Sequence, residues 1–240
     1  MPPREFITRR CLPHWYVPGA AHFVTYRLFG TLPRSVLDDI QTRRKLLLAR
    51  KPAKGCTARQ HRERVHKQLF AVYDGWLDRG EAINYLADPR VAAMIRESLY
   101  HHDGNMYQLL AYCIMSNHVH VLLIPKDTDV EASRLHHDTD ASVGELPDKN
   151  SPLAKIMHSL KSYTAHEANR ILNRTGAFWQ FESYDHWVRD EHELERIVDY
   201  IANNPVKANR VKRPHHAFFS SCQDRYLTDG EVSGWLLWNR

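Results

Sequence analysis

The 240-residue chain lacks two features that would assign it to a membrane or export class. It contains no apolar run of about eighteen residues, so we expect no membrane-spanning helix. Its first stretch, MPPREFITRRCLPHWYVPG, has basic residues but no apolar segment of a signal peptide. We therefore expect a cytoplasmic protein with no membrane partner.

Cysteine is also scarce. The four cysteines, Cys11, Cys56, Cys113 and Cys222, are scattered and form no CxxC pair. This spacing excludes a disulfide-stapled scaffold and a zinc ribbon, and it favours a reduced, intracellular protein with incidental thiols.

Acidic residues are slightly outnumbered. The chain has 33 Lys and Arg against 28 Asp and Glu, a net charge of +5 and a pI near 9.0. Such a balance favours an acidic partner, most commonly nucleic acid, but an excess this modest does not decide the matter. A hydrophobic content of 43% and a charged content of 25% are typical of a globular chain, and one elaborated domain is the default expectation at this length.

The periodicity of apolar residues predicts a strand, two helices joined by a polar turn, a third helix, a strand pair, a fourth helix, a strand and a last helix. Asp88 with Pro89, and Asp190 with Glu193, are the clearest helix starts. This order predicts an α+β fold, with helices packed on one face of an antiparallel sheet. Residues 126–151 hold seven acidic residues and no sustained period, which predicts a long loop away from any binding face.

The stretch MSNHVHVLLIP places His118 and His120 one residue apart at the start of an apolar run. Residues two apart on a strand point to the same face, roughly 6.6 Å apart along the chain. That span suits one metal ion held by both imidazoles at about 2.1 Å each. The alternative is two partly exposed histidines on a sheet face, although this is the only His-x-His spacing among sixteen histidines.

The last predicted helix, in RIVDYIANNP, carries Tyr200 and Asn204 four residues apart, just beside its apolar stripe. Pro205 disfavours helical geometry for the residue before it, so we expect Asn204 at the frayed C-terminal end. A phenol and an amide would then share one partly buried edge. Alternatively, Tyr200 is a core tyrosine and Asn204 only caps the helix.

Taken together, these motifs resemble a known family. His118-Val119-His120 resembles the His-hydrophobic-His motif of the HUH single-strand nucleases, and DYIANNPVKANRV resembles the C-terminal motif of the REP-associated tyrosine transposases. Further similar stretches follow in order over roughly residues 12–222: HFVTYRL, YDGWLD, YCIMSNHVHVLLIP, LKSYTAHEANRIL, GAFWQFESYDHWVRD and YIANNPVKA. The His-x-His motif alone is weak evidence for the family, because many metal sites contain it. The whole set of stretches in this order is specific to the family.

The resemblance implies a ferredoxin-like α+β domain over residues 12–222, with a helical insertion at about 35–100 and a C-terminal tail at 223–240. It implies that His118, His120 and Asn204 bind one divalent ion, Mg or Mn, and that Tyr200 is the nucleophile. The enzyme would cleave and rejoin single-stranded DNA beside REP-like hairpins, through a 5′-phosphotyrosine link and a free 3′ hydroxyl. It also implies a nucleoid-associated monomer, with a dimer as the alternative.

The chemistry of these residue types agrees with that function. Two imidazoles and one amide would leave the charge of the ion unneutralised, so it would pull strongly on a phosphate oxygen. Imidazole ligation makes Mn as suitable as Mg. Tyr184 and Tyr163 are rival nucleophiles, for which structural roles are the simpler interpretation.

The predicted fourth helix is basic and suits a single DNA strand through charge and base stacking. Its candidate DNA-binding residues are Lys155, Lys161, Tyr163, Arg170 and Arg174. The alternative is a solvated helix face. Two other functions stay open: a hairpin-binding protein without turnover, and a His-x-His metalloenzyme acting on a small molecule.

Overall fold

The computed structural model describes residues 16–80, 82–126 and 151–224. Its centre is a four-stranded sheet in the order β2-β3-β1-β4, with antiparallel neighbours. The strands are β1 His22–Arg27, β2 Tyr107–Ile114, β3 His118–Pro125 and β4 Tyr184–Trp187. The helices are α1 Arg34–Ala49, α2 Ala58–Arg79, α3 Pro89–His101, α4 Pro152–Ile171 and α5 Glu191–Lys207, with short 3₁₀ turns at Tyr85–Ala87 and Pro214–His216.

The predicted α+β class is confirmed. The succession β1-α3-β2-β3-α4-β4 with this strand order is the ferredoxin-like arrangement. The helices α1 and α2 lie between β1 and α3, where the sequence predicts a helical insertion. The α3 helix packs against α4 and β2, so it is part of the sheet-and-helix unit itself.

The helices cover both faces of the sheet, whereas the order of elements in the sequence predicts helices on one face. On one face, α3 and α4 pack against Val24, Val121 and their neighbours. On the other, α1, α2 and α5 pack against Phe23, Leu122 and their neighbours. The reason is that β1 and β3 bury the side chains of both faces, so each face needs its own cover.

Local signals explain most helix boundaries. The carboxylate of Asp88 accepts a hydrogen bond from the backbone N–H of Arg90, with Pro89 at the first helical position. Thr57 and Gln60 form a reciprocal capping box at the start of α2. Asp190 accepts from the N–H of Glu193 at the start of α5.

The expected end of α5 at Asn204 is wrong. The helix continues through Pro205 to Lys207, and Asn204 is fully buried. Pro205 removes one helical N–H, but Ala208 N–H donates to the Asn204 carbonyl and Arg210 N–H to the Pro205 carbonyl. Burial and these bonds outweigh the local preference of a residue that precedes proline.

The chain after α5 returns to the sheet. The N–H of Ile114 donates to the carbonyl of Phe219, and the N–H of Tyr112 donates to Ser221 Oγ, so this extension lines β2. Most of the predicted acidic loop (127–150) and of the tail (225–240) lies outside the described residues. Within the described ranges, no helix is both long and apolar enough to span a bilayer.

Candidate active site

His118 and His120 lie on the face of β3 that α2 and α5 cover. Both side chains are fully buried, and their Nε2 atoms are 3.0 Å apart. Thr25 is the residue opposite His120 on β1, and its hydroxyl is 2.8 Å from His120 Nδ1. The alternative of two partly exposed histidines therefore does not describe this site.

Burial determines the charge state of this pair. Burial lowers the pKa of His118 well below its usual value, and the neighbouring His120 and Lys207 lower it further. Burial also lowers the pKa of His120 to about 4, although the carboxylate of Asp74 opposes that shift. Both imidazoles are neutral near pH 7, so each ring keeps one nitrogen lone pair and carries no charge that would repel a metal ion.

Asp74, on α2, is the site residue that the sequence analysis missed. It is buried, its Oδ1 lies 3.5 Å from His120 Nε2, and one ligand atom each of Asp74, His118 and His120 falls within 4.8 Å of the others. Among the described residues, no group hydrogen-bonds Asp74 Oδ1. The available signal was the pair Asp74 and Asp78 in YDGWLD, four residues apart on one helix face.

Lys207 connects α5 to these carboxylates. Its Nζ lies 2.8 Å from Asp74 Oδ2 and 3.0 Å from Asp78 Oδ2. It also lies 5.6 Å from the ring centroid of Tyr200. The ammonium therefore occupies one oxygen of Asp74 and leaves the other directed at the histidines.

Tyr200 and Asn204 reach the same cluster from α5. Asn204 Nδ2 donates to the Tyr200 hydroxyl at 3.2 Å, and the Tyr200 ring stands edge-on to His120 with centroids 5.4 Å apart. Burial raises the pKa of the half-buried Tyr200, and the negative charge of Asp74 raises it further. The hydroxyl is thus protonated at neutral pH, with a carboxylate beside it.

The residues present fit a divalent ion. Two nitrogen ligands at right angles, with bonds of about 2.1 Å, would lie about 3.0 Å apart, which is the distance between the two Nε2 atoms. Within the described ranges, the buried Oδ1 atoms of Asp74 and Asn204 have no hydrogen-bond partner. Unsatisfied buried oxygens are costly, so they indicate a missing ligand. The two imidazoles and the Asp74 carboxylate suit a divalent ion.

The carboxylate corrects the charge argument made from the sequence. With Asp74 as a ligand, one positive charge of a divalent ion is neutralised, whereas two imidazoles and an amide would neutralise none. Lys207 shares the same carboxylate and offsets part of that effect. With a divalent ion bound, the ion, Asp74 and Lys207 would together carry a net positive charge, which would attract a phosphate.

The two rival tyrosines lie on opposite faces of the sheet. Tyr184 is 3% exposed on β4 and stacks on Phe70 with ring centroids 4.2 Å apart. Tyr163 is 55% exposed on α4, which covers the opposite face of the sheet. Tyr184 lies opposite Thr25 on the same sheet face as the histidines, where its ring packs against Phe23 and Phe70. Tyr163 lies across the sheet from them.

The predicted DNA-binding residues of α4 differ in their surroundings. Lys161 Nζ donates to the carbonyls of Gln180 and Phe181 at 2.6 and 2.8 Å, and burial lowers its pKa to about 8. Arg174 lies over the Tyr85 ring, 4.6 Å from its centroid. Arg170 is paired with Glu167, while Lys155 and Tyr163 are exposed. Their binding of DNA stays a prediction.

The fold and site define an α+β protein in which a buried His-His-Asp cluster, suited to a metal ion, lies beside a tyrosine. No family model matches the chain. A curated protein of Haemophilus influenzae, provisionally named a REP-associated tyrosine transposase, is 28% identical over 107 residues, which are 44% of this chain and 53% of that protein. The chain thus spans about half the length of this relative.

A solved structure shows the same fold. It is that of a REP-associated tyrosine transposase bound to a REP hairpin, and it matches 92% of this chain and 87% of its own with a TM-score of 0.50 and 15% identity. The similarity to the Haemophilus influenzae protein confirms the resemblance that the motifs indicate, and the solved structure confirms the fold.

Proposed function

We propose that this protein is a metal-dependent, single-stranded DNA endonuclease and transposase that cleaves and rejoins DNA next to REP-like hairpins. The observation that carries the proposal is the convergence of Tyr200 with His118, His120 and Asp74 in one buried cluster. The similarity to proteins named REP-associated tyrosine transposases, one of them bound to a REP hairpin, supports the choice of substrate.

Tyr200 supplies the nucleophile. Its hydroxyl oxygen attacks the scissile phosphorus, so that an O–P bond to Tyr200 forms and the bond from phosphorus to the 3′ oxygen breaks. The phenolic proton is released to water, and the 3′ oxygen takes up a proton from water to become a free hydroxyl, so the proton count balances. The 5′ side of the break stays attached to Tyr200 as a phosphodiester.

His118, His120, Asp74 and Asn204 would hold one divalent ion, Mg or Mn. When bound, such an ion polarises the phosphate and stabilises the charge that develops on it. Lys207 orients Asp74, since its ammonium is 2.8 Å from Oδ2 and leaves Oδ1 directed at His120. Asn204 orients the Tyr200 hydroxyl through the 3.2 Å hydrogen bond.

The covalent link explains why rejoining is accessible. A phosphotyrosine diester conserves the energy of the broken phosphodiester, so a 3′ hydroxyl can attack it and regenerate Tyr200. A hydrolase that uses water would lose that energy. Cleavage and strand transfer therefore need no second active site.

The decisive experiment is the capture of this link. The full chain is incubated with a labelled, hairpin-bearing single strand and Mn, and we expect an adduct that survives boiling in detergent and maps to the peptide carrying Tyr200. Tyr200→Phe should form none, while the matched variants Tyr184→Phe and Tyr163→Phe should still form it. The proposal fails if the adduct persists in Tyr200→Phe.

The same experiment separates the two alternatives. A hairpin-binding protein without turnover would retain the DNA but form no adduct with the wild-type chain. A metalloenzyme acting on a small molecule would neither retain the hairpin nor form the adduct.

A further inference from the structure

Asn117 links the end of α2 to His118. The side chain is 1% exposed, and its Nδ2 donates to the carbonyls of Leu77 and Gly80 at 2.9 and 2.6 Å. Because two carbonyl oxygens surround Nδ2, the amide orientation is determined: Oδ1 must point away from them. That oxygen lies 2.6 Å from His118 Nδ1.

This contact determines the tautomer of His118. An amide oxygen can only accept a hydrogen bond, so His118 Nδ1 must carry the hydrogen. In a neutral imidazole the other nitrogen, Nε2, then has the lone pair. His118 therefore directs a lone pair toward the cluster before any ion binds.

In the metal-free site, His120 carries its hydrogen on Nε2 and its lone pair on Nδ1, the opposite of His118. Its Nε2 faces two acceptors, the lone pair of His118 Nε2 at 3.0 Å and Asp74 Oδ1 at 3.5 Å. A hydrogen on His120 Nε2 can be donated to these acceptors. A lone pair on His120 Nε2 would instead face the lone pairs of both acceptors. His120 Nδ1 then accepts from the Thr25 hydroxyl at 2.8 Å.

The hydrogen-bond partners of the two histidines differ in the tautomers that they allow. Thr25 Oγ1 can donate or accept, while Asn117 Oδ1 can only accept. We propose that Asn117 holds His118 permanently in the Nδ1–H tautomer, and that His120 changes from the Nε2–H to the Nδ1–H tautomer when a divalent ion binds. One proton leaves Nε2 to water and one reaches Nδ1 from water, so the charge of His120 is unchanged, and the Thr25 hydroxyl turns from donor to acceptor.

Asn117 is thus a positioning residue, and the inference rests on the proposed metal centre. It also gives α2 a second role. This helix supplies Asp74 directly and orients His118 through the Leu77 and Gly80 carbonyls. The fit at Gly80 is close, since an added Cβ would lie 3.2 Å from Asn117 Nδ2.

The direct test is long-range ¹H–¹⁵N NMR of the histidine rings in the full chain, without metal and with diamagnetic Mg²⁺. We expect His118 as Nδ1–H in both spectra, and His120 as Nε2–H without the ion and Nδ1–H with it. His118 as Nε2–H, or His120 unchanged in the ion-bound protein, would overturn the inference. If no ion binds, the metal centre and the His120 exchange both fail, while the metal-free spectrum still decides the role of Asn117.

Variants give a second readout through the affinity for Mn²⁺, followed by EPR of the free ion. Residues that orient metal ligands typically change affinity 10- to 100-fold, and we expect a loss of about that size in Asn117→Ala and Thr25→Val. Thr25→Ser keeps the hydroxyl and should restore affinity to within about twofold of the wild type, since Ser and Thr hydroxyls donate and accept alike. Unchanged affinity in folded Asn117→Ala, or equal losses in Thr25→Val and Thr25→Ser, would contradict the proposal.

Discussion

The two faces of the central sheet are built from alternate residues of the same strands but differ in chemistry. On the α3 and α4 face, β1 and β3 contribute mostly apolar side chains, among them Val24, Val119 and Val121. On the α2 and α5 face, the same strands contribute Thr25, His118 and His120, all fully buried. A shift of one residue in register would exchange the two sets.

The histidine site also contains buried oxygens that have no hydrogen-bond partner among the described residues. Within the part of the chain that the structure describes, Asp74 Oδ1 and Asn204 Oδ1 are buried without hydrogen bonds on the α2 and α5 side of the sheet. Each such group typically destabilises a protein by about 1–3 kcal/mol. Apolar packing stabilises both faces, and we expect the polar cluster on the α2 and α5 side to gain stability when a ligand binds.

The largest expected effect concerns the site face, in Asp74→Asn compared with Asp78→Asn. Both carboxylates contact Lys207, but only Asp74 belongs to the histidine cluster. Removing the Asp74 charge should lower single-turnover cleavage by about 10³-fold, the usual cost of losing one strong transition-state contact, and should abolish the Mn²⁺-induced rise in Tm. Asp78→Asn should retain that rise. Equal losses in the two variants would mean that Asp74 acts only through Lys207.

Much of the fold was accessible from the sequence, because it depends on local patterns. Strand alternation predicts that His118 and His120 share a face, and helical spacing predicts that Tyr200 and Asn204 meet, as their 3.2 Å hydrogen bond shows. The continuation of α5 past Pro205 was missed, since burial outweighed a local preference. Asp74 was missed because the pair in YDGWLD marks only one face of a helix, whereas its contact with the histidines depends on how α2 docks against the sheet.

The second prediction concerns the apolar face. Leu99 is fully buried on α3, and Leu99→Ala should lower the free energy of unfolding by about 2–5 kcal/mol, because it removes a core side chain and leaves a cavity. Chemical denaturation measures the loss. Adduct formation per folded molecule should equal that of the wild type. A parallel loss of Mn²⁺ affinity would show that the two faces are not independent.

The third prediction distinguishes the two faces by how the free energy of unfolding depends on pH. Burial holds the pKa of His118 well below its usual value and lowers that of His120 to about 4, so the unfolded chain binds protons that the native site excludes. The stability contributed by these neutral histidines is present above about pH 6.5 and is lost as the pH falls toward 4, by at most about 1.4 kcal/mol per pH unit for each group. In metal-free protein, the double variant His118→Gln/His120→Gln should give a flatter profile of unfolding free energy against pH. Leu99→Ala should run parallel to the wild type; a double variant that also runs parallel would contradict the assignment.

The smallest expected effect compares two lysines of α4, the helix that covers the apolar face. Lys155 is exposed, whereas the Lys161 ammonium donates to the carbonyls of Gln180 and Phe181. For hairpin-bearing single strands, affinity should fall with salt at a log–log slope of about −0.7 per neutralised phosphate. If Lys155 contacts one phosphate, Lys155→Ala should flatten the slope by at most about 0.7 and change stability by less than about 0.5 kcal/mol.

Lys161→Ala should behave differently, because two carbonyls lose their donor. We expect a lower Tm, with the position of cleavage unchanged. Fluorescence anisotropy over a salt series, with thermal unfolding of the same samples, measures both quantities. If Lys161→Ala flattened the salt slope without lowering Tm, its ammonium would be a DNA contact rather than a structural one, and α4 would belong to the binding surface despite lying across the sheet from Tyr200.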